Sequence, residues 1–196
     1  MGRNVEFMCI VPARAGSKRF PRKNLHTIGG HRLVNLACHQ GLELFKSVIV
    51  TTDDPEVAES VSGIKGVRLL ERPKDLAQDD TPMAQVILHT YLRMSQPGDT
   101  EPLIVLLQPT SPLRSLGDIM AVVHKACWRL PTYSCLEGTD VPNGAVYAAT
   151  MSDWMEWPIT MPNWLHISMP ASRSIDINTR EQYEEACRRW EMTHRD

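Results

Sequence analysis

A group of cationic side chains follows the first hydrophobic run of this sequence. The run, residues 5–12, is mostly apolar and has the length of a buried strand. The loop after it carries the cations and small residues that suit an oxyanion: Arg14, Gly16, Ser17, Lys18, Arg19, Arg22 and Lys23. Gly16 permits backbone angles that turn N–H groups toward an anion, and the cations add charge-assisted hydrogen bonds. The pattern predicts a phosphate-binding loop, and a basic surface loop is the alternative.

The two commonest phosphate-binding motifs are missing from the sequence. A Walker loop needs an earlier glycine before its Gly-Lys-Ser/Thr end, and this loop reads Gly16-Ser17-Lys18 without one. The dinucleotide fingerprint G-x-G-x-x-G occurs nowhere in the chain. The sequence therefore indicates a different kind of nucleotide-binding fold.

A candidate metal site lies near the end of the sequence. Asp176 alternates with Ile175 and Ile177, so its side chain and that of Asn178 share one face of an extended segment. Carboxylate and amide oxygens are ligands that suit Mg²⁺. Asp176 is therefore the best candidate for a metal ligand, and Asn178 lies on the same face. The alternative is that both residues form the turn and the cap of the last helix.

Composition restricts the class of protein. The chain has 196 residues, of which 42% are hydrophobic and 22% charged, and its net charge is −2. These values predict one globular domain and no nucleic-acid partner, because the cations are local. No apolar run has the length of a membrane span, so we expect no membrane partner. The five scattered cysteines form no C-x-x-C motif, which favours reduced thiols in the cytoplasm.

Strands and helices alternate over the first two thirds of the sequence. Strands are predicted at residues 5–12, 47–52, 67–70 and 102–107, and helices at 32–45, from 55, 82–94 and 117–128. The second helix is predicted to begin at Asp53-Asp54-Pro55 with an acidic cap, the third has Thr81 or Asp80 as its predicted cap, and the fourth has Ser115. Alternation of this kind predicts a parallel sheet with ligands at the carboxyl ends of its strands. The loops 12–24 and 108–114 are therefore expected to face one pocket.

The last third of the sequence is less regular. Residues 143–150 predict a strand, 165–169 an edge strand, and 180–192 a helix with Thr179 as its cap. The segment 133–141 is short and ends in turn residues. Tryptophans follow at 154, 157 and 164, and they are expected in the core or in a subunit contact, with a pocket wall as the alternative.

Five blocks of the sequence resemble one enzyme family. They read PARAGSKRFPRKN (12–24), ERPKDLAQDDT (71–81), LLQPTSPLR (106–114), PNGAVY (142–147) and SIDINT (174–179). In this order they are similar to the signatures of the acylneuraminate cytidylyltransferases. The resemblance implies an α/β, three-layer Rossmann-like nucleotide-diphospho-sugar transferase fold with a mainly parallel central sheet. It also implies a single cytidylyltransferase domain over residues 1–196.

The resemblance implies a role for each matching residue. The expected nucleotide-binding residues are Ala13, Arg14, Ala15, Gly16, Ser17, Lys18, Asn24, Arg72, Asp79 and Thr81. The expected catalytic residues are Arg14, Lys18, Gln108 and Asp176, with Mg²⁺ as cofactor on Asp176 and Asn178. The expected sugar-binding residues are Gln108, Asn143 and Tyr147.

More specific roles follow for three of these residues, and each has an alternative. Asn24 is expected at the ribose, Arg72 at the cytosine, and Gln108 at the acceptor sugar near its reacting hydroxyl. Arg72 could instead form a solvated ion pair with Glu71 or Asp75. Gln108 and Thr110 could simply hold their own loop by local hydrogen bonds.

The implied reaction transfers CMP from CTP to an α-keto acid sugar such as sialic acid and releases pyrophosphate. Kdo, pseudaminic acid or legionaminic acid are alternative acceptors, and a weakened nucleotide-binding regulator is an alternative class. Three departures from the family pattern bear on these expectations: the first predicts weaker metal binding, the second a weaker contact to the sugar carboxylate, and the third a weakened homodimer. Asn178 stands where the family usually has a second Asp, Val141 where it commonly has Arg, and the insertion near 135–141 is short.

Overall fold

The computed structural model describes residues 5–96, 98, 100–127, 130–156 and 164–194. Seven strands form one sheet in the order β5-β4-β1-β6-β8-β7-β9. Two further strands of two residues each, β2 and β3, pair with each other in a separate antiparallel hairpin. The strands are β1 (Phe7–Pro12), β2 (Thr27–Ile28), β3 (His31–Arg32), β4 (Val48–Thr52), β5 (Val67–Glu71), β6 (Leu103–Leu107), β7 (Thr132–Leu136), β8 (Pro142–Ala149) and β9 (Leu165–Met169). Of these seven, β8 alone runs antiparallel to its neighbours. The predicted α/β fold with a mainly parallel sheet is confirmed.

Helices cover both faces of the sheet. They are α1 (Leu33–Leu42), α2 (Pro55–Ser62), α3 (Met83–Met94), α4 (Leu116–Ala126), α5 (Met151–Glu156) and α6 (Arg180–Thr193). The first, second and fourth pack on one face, and the third and fifth on the other. Both β4 and β6 are buried along their whole length, which explains why β6 is apolar throughout and β4 consists of β-branched residues.

The last helix, α6, packs on the loop after β1 instead of on the sheet. Its Ala186 joins a separate apolar cluster with Phe20 and Ile28 from that loop region and with Ile175 and Ile177 from the segment before the helix. Burial of the two isoleucines leaves Asp176 and Asn178 on the other side, as the alternating sequence predicts. The cluster therefore joins the cationic loop to the segment 174–179.

Polar residues cap the helices as the sequence predicts, with one exception. Asp54 accepts a hydrogen bond from Glu56 N at 2.9 Å, and Ser115 and Thr179 each form a capping box. The predicted cap of α3 is wrong. This helix begins at Met83, after Pro82, and has no side-chain cap. Thr81 Oγ1 instead accepts from Gln78 N at 3.1 Å, which closes a turn.

The structure corrects the sequence analysis in the last third of the chain. The segment expected to be short and turn-like contains β7, which lies inside the sheet between β8 and β9. The helix α5 was not predicted. Trp154 and Trp164 are buried with ring centroids 5.2 Å apart, so the core interpretation is correct for both. Trp157 and the predicted end of α4 at Trp128 lie outside the described residues.

Candidate active site

Three loop segments meet at the carboxyl edge of the sheet and line a cleft of about 210 Å³. They are the loop after β1, the loop after β6 and the segment 174–179. The last two are joined by a hydrogen bond of 2.8 Å from Ile177 N to Thr110 O. Seven of the predicted site residues line this cleft: Arg14, Ser17, Asn24, Arg72, Gln108, Asp176 and Asn178. The predicted common pocket for these loops is present.

Asp176 has one carboxylate oxygen that the protein itself does not satisfy. Its Oδ2 accepts a hydrogen bond of 2.7 Å from Asn178 Nδ2. Its Oδ1 is buried and has no hydrogen-bond partner among the described residues. A buried, unpaired carboxylate oxygen costs free energy unless a cation or a donor reaches it. The cleft therefore has an oxygen that suits a ligand or a metal ion.

Gly144 makes room for this arrangement. Its φ is 78°, in the left-handed region. A Cβ on this residue would lie 2.9 Å from Gln108 Oε1 and 3.4 Å from Asp176 Cγ. A larger residue would therefore push Gln108 out of place and touch Asp176, besides being strained. The glycine of the PNGAVY block thus allows Gln108 and Asp176 to lie against the same piece of backbone.

Lys23 connects the cationic loop with the segment 174–179. Its Nζ donates a hydrogen bond of 3.1 Å to Asn178 Oδ1. Burial lowers the pKa of Lys23, whereas the negative charge of Asp176 opposes that shift. Sequence reasoning counted this lysine among the loop cations but assigned it no site role. Its position immediately before Asn24 was a signal that it shares the pocket of that residue.

The metal prediction fits Asp176 better than Asn178. The unpaired Oδ1 of Asp176 is a suitable oxygen ligand. The Oδ1 of Asn178 accepts from the ammonium of Lys23, whose positive charge disfavours a second cation on the same oxygen. Among the described residues, no three His, Cys, Asp or Glu side chains are grouped to hold a metal ion. One carboxylate together with substrate phosphates is nevertheless a usual way of binding Mg²⁺.

Arg14 and Lys18, the two cations predicted to be catalytic, form ion pairs with Asp79. Arg14 Nη2 donates to Asp79 Oδ1, and Lys18 Nζ lies 2.5 Å from Asp79 Oδ2. Hydrogen bonds from Lys18 and then from Arg14 lower the pKa of Asp79 to about 2. These three side chains line a cavity of about 310 Å³ beside the cleft, to which Lys23 and Asn178 also contribute. Charges of both signs therefore meet where phosphates are expected.

Two of the predicted backbone donors already have acceptors. Ala13 N donates to Thr51 O at 3.0 Å, and Ala15 N donates to Asp53 Oδ1 at 2.8 Å. Gly16 has a φ of 72°, the left-handed conformation that the sequence analysis invoked for this turn. Asp53 was not predicted as a site residue, although it follows β4 at the same edge of the sheet.

Arg72 is buried, which excludes the solvated ion pair considered for it. Its Nη2 donates to Thr51 O at 2.8 Å and its Nε to Thr51 Oγ1 at 3.3 Å. Burial lowers the pKa of Arg72 to about 10. Asn24 is likewise buried and donates to Arg14 O at 3.0 Å. Both predicted nucleotide contacts are thus rigidly held at the cleft.

The loop that carries Gln108 depends on a buried arginine. Arg114 Nη1 donates to the carbonyl oxygens of Gln108 at 2.7 Å and Ala145 at 3.0 Å. This residue ends the LLQPTSPLR block, but the sequence analysis assigned it no role. The structure shows that it ties the loop after β6 to β8, so Gln108 is held by more than local hydrogen bonds.

Two predicted site residues, Asn143 and Thr81, have hydrogen-bond partners within the protein, and a third, Tyr147, is buried. Asn143 Oδ1 accepts from Ser134 Oγ at 2.7 Å, and its Nδ2 donates to Ser174 Oγ at 3.0 Å. Tyr147 is buried, and its burial raises its pKa to about 12. Thr81 closes the turn described above. The hydrogen bonds of Asn143 and Thr81 join parts of the protein to each other. Sugar binding by Asn143 and Tyr147 and nucleotide binding by Thr81 stay predictions.

The protein has an α/β Rossmann-like fold with a polar cleft at the carboxyl edge of a mainly parallel sheet. Solved structures share this fold. A CMP:2-keto-3-deoxy-manno-octonic acid synthetase complexed with CTP is 15% identical, covers 96% of this chain and 98% of its own, and has a TM-score of 0.69. A cytidylyltransferase from Leptospira borgpetersenii is 18% identical, covers 94% and 86%, and has a TM-score of 0.67.

Residues 8–127 match the family model described as cytidylyltransferase, so the chain belongs to the cytidylyltransferase family. An N-acylneuraminate cytidylyltransferase from Escherichia coli is 35% identical over 136 residues, which are 67% of this chain and 30% of that protein. A CMP-N,N'-diacetyllegionaminic acid synthase from Legionella pneumophila is 29% identical over 122 residues, 61% and 53% respectively. These matches confirm the resemblance to the acylneuraminate cytidylyltransferases. The chain spans about half the length, or less, of these curated relatives.

Proposed function

We propose that this protein transfers CMP from CTP to an α-keto acid sugar and releases pyrophosphate. The observation that carries the proposal is the meeting of Lys23 with the Asp176–Asn178 pair in one cleft, beside the arginine and lysine of the same loop. Cations for a triphosphate and an unpaired carboxylate oxygen for its counter-ion are thus within one site. Relatives named for the transfer of cytidylyl groups to such sugars support the same reaction.

The chain's own residues supply positioning and charge in this reaction. The hydroxyl oxygen of the sugar forms a bond to the α-phosphorus, and the bond from that phosphorus to the leaving pyrophosphate breaks. Arg14, Lys18 and Lys23 would neutralise charge on the phosphates, and Arg72 would hold the base with its fixed donors. Gln108 would orient the acceptor, since its loop is anchored by Arg114.

Mg²⁺ is the cofactor that this site would use, with Asp176 as its protein ligand. When bound, it would supply positive charge to the phosphate oxygens. The unpaired Oδ1 of Asp176 supports this assignment. Asn178 would instead connect Asp176 and Lys23 and hold their side chains in position. Its Nδ2 donates to Asp176, and its Oδ1 accepts from Lys23.

Asn178→Asp is expected to strengthen metal binding by about 10- to 100-fold. The added carboxylate lies beside Asp176, and a second unit charge at about 4 Å is worth up to roughly 4 kcal/mol before screening. Titration of the free protein with Mn²⁺ or Mg²⁺, followed calorimetrically, would measure the change. Asn35→Asp, a substitution on α1 outside the cleft, is the matched control. Equal metal affinity of Asn178→Asp and the native chain would remove this position from the metal site.

The acceptor is proposed only as a class. Sialic acid is the first choice, and Kdo, pseudaminic acid or legionaminic acid are the alternatives. A second candidate function, nucleotide binding without turnover, is favoured by the engagement of Asn178 with Lys23 in place of a second carboxylate.

We further propose a cytoplasmic location, which the unpaired thiols of all five cysteines support. A homodimer remains a proposal as well. Within the described residues, no helix is long and apolar enough to span a bilayer.

The deciding experiment measures pyrophosphate release from CTP and Mg²⁺ with each of these acceptors in turn. We expect release with at least one nine-carbon α-keto acid sugar, with no release when ATP replaces CTP. Tight CTP binding without release from any acceptor would instead favour the nucleotide-binding function. Absence of both binding and release would overturn the whole proposal.

A further inference from the structure

The two cations that should bind phosphates already hold a carboxylate. Asp79 receives the guanidinium of Arg14 on one oxygen and the ammonium of Lys18 on the other. The carboxylate is partly exposed, with 42% of its side chain accessible, whereas Arg14 is more covered at 30%. Arg14 is also fixed from behind by Ala77 O at 3.2 Å. Arg14 is therefore held in place independently of Asp79, whereas Lys18, with 82% of its side chain accessible, and the carboxylate both face solvent.

Asp79 and a phosphate group compete for the same donors. A carboxylate bridging an arginine and a lysine uses the N–H groups that would otherwise bind phosphate oxygens. The cavity that these side chains line also includes Lys23 and Asn178, so it continues toward the nucleotide cleft. A polyphosphate that extends from the cleft into this cavity must displace Asp79.

We propose that Asp79 acts as an internal anion that occupies the phosphate-binding cations in the free protein and competes with the pyrophosphate end of the nucleotide. The proposal rests on the proposed function and changes the role predicted for Asp79 from a nucleotide ligand to a competitor of one. A displaced carboxylate returns to water at little cost because it lies on the surface of the loop before α3.

Competition of this kind favours substrates with longer phosphate chains and helps the release of pyrophosphate. A triphosphate offers several negative oxygens to the same cations, so it replaces the single carboxylate readily. A mononucleotide does not extend into the cavity and gains nothing from displacing it. After transfer, Asp79 returns to Arg14 and Lys18 as pyrophosphate leaves.

The test is pyrophosphate binding to Asp79→Asn, measured by calorimetry in the presence of Mg²⁺. We expect binding that is roughly 2- to 30-fold tighter than that of the native chain, the range spanned by two exposed ion pairs. CMP affinity should change by less than about 2-fold, because CMP does not compete with Asp79. Asp80→Asn, an equal charge change on the next, exposed residue, should bind pyrophosphate like the native chain.

Two further readouts separate competition from a structural role. Asp79→Glu keeps the carboxylate and should stay close to native affinity. Because the pKa of Asp79 is about 2, the gain in Asp79→Asn should be the same at about pH 6 and at about pH 8. Unchanged or weaker pyrophosphate binding by Asp79→Asn, with normal binding by the native chain, would overturn this inference and leave the proposed function intact. A native chain that binds neither CTP nor pyrophosphate would overturn both.

Discussion

Asp176→Asn is expected to lower the rate of pyrophosphate release by about 100- to 1,000-fold while leaving the fold intact. The amide has the size of the carboxylate and can still accept from Asn178 Nδ2. It lacks the negative charge that the unpaired, buried oxygen brings to the cleft. Steady-state rates at saturating CTP and acceptor would show the effect as a fall in kcat, because the charge matters most where the phosphate charge develops.

Asp140→Asn is the control for this substitution. It removes the same charge from an exposed turn between β7 and β8, and its rate should equal that of the native chain. Thermal unfolding of Asp176→Asn should occur at or above the native temperature, since a buried charge with one unsatisfied oxygen is replaced by a neutral group. A near-native kcat would show that Asp176 lies outside the reacting centre and would remove the proposed metal ligand.

Lys23→Met is expected to reduce kcat/KM for CTP by about 100-fold without loss of stability. The substitution keeps the length of the side chain but removes the ammonium that reaches Asn178 Oδ1 at 3.1 Å. Burial holds the pKa of Lys23 below its ordinary value, so the folded protein binds this proton less tightly than the unfolded chain. The charged amine of Lys23 therefore lowers the free energy of unfolding at neutral pH. This penalty becomes smaller as the pH rises from the pKa of Lys23 in the folded protein to its pKa in the unfolded chain.

Measuring both kcat/KM and the free energy of unfolding distinguishes a loss of phosphate binding from a loss of folding in Lys23→Met. The unfolding free energy of Lys23→Met should be unchanged or higher, whereas Lys65→Met, an exposed substitution of the same type, should alter neither property. Lys23→Arg keeps the charge and should recover part of the lost kcat/KM, although a planar guanidinium does not replace an ammonium fully. Full activity of Lys23→Met would mean that the triphosphate is bound without this residue.

Much of the fold followed from local sequence signals. The apolar runs of β4 and β6 predict strands buried on both faces, and the polar residues at Asp54, Ser115 and Thr179 mark helix starts that the structure confirms. The cap of α3 failed because a threonine close to a helix start can satisfy its hydroxyl within its own turn, as Thr81 does. The failure at β7 has a different cause. Its place in the sheet comes from pairing with β8 and β9, which follow it in the chain.

The sequence by itself determined the family, the mainly parallel sheet and the types of residue at its carboxyl edge, because ordered motifs and hydrophobic periodicity are local properties of the chain. Tertiary structure alone decided which polar groups meet. Lys23 and Asn178 are 155 positions apart, and Arg14 and Asp79 are 65 apart. A hydrogen bond or ion pair depends on ångström-scale approach in space, which the packing of α6 and the loops sets. That packing places Asn178 between Lys23 and Asp176, and Asp79 against Arg14 and Lys18, which are contacts that local sequence patterns do not predict.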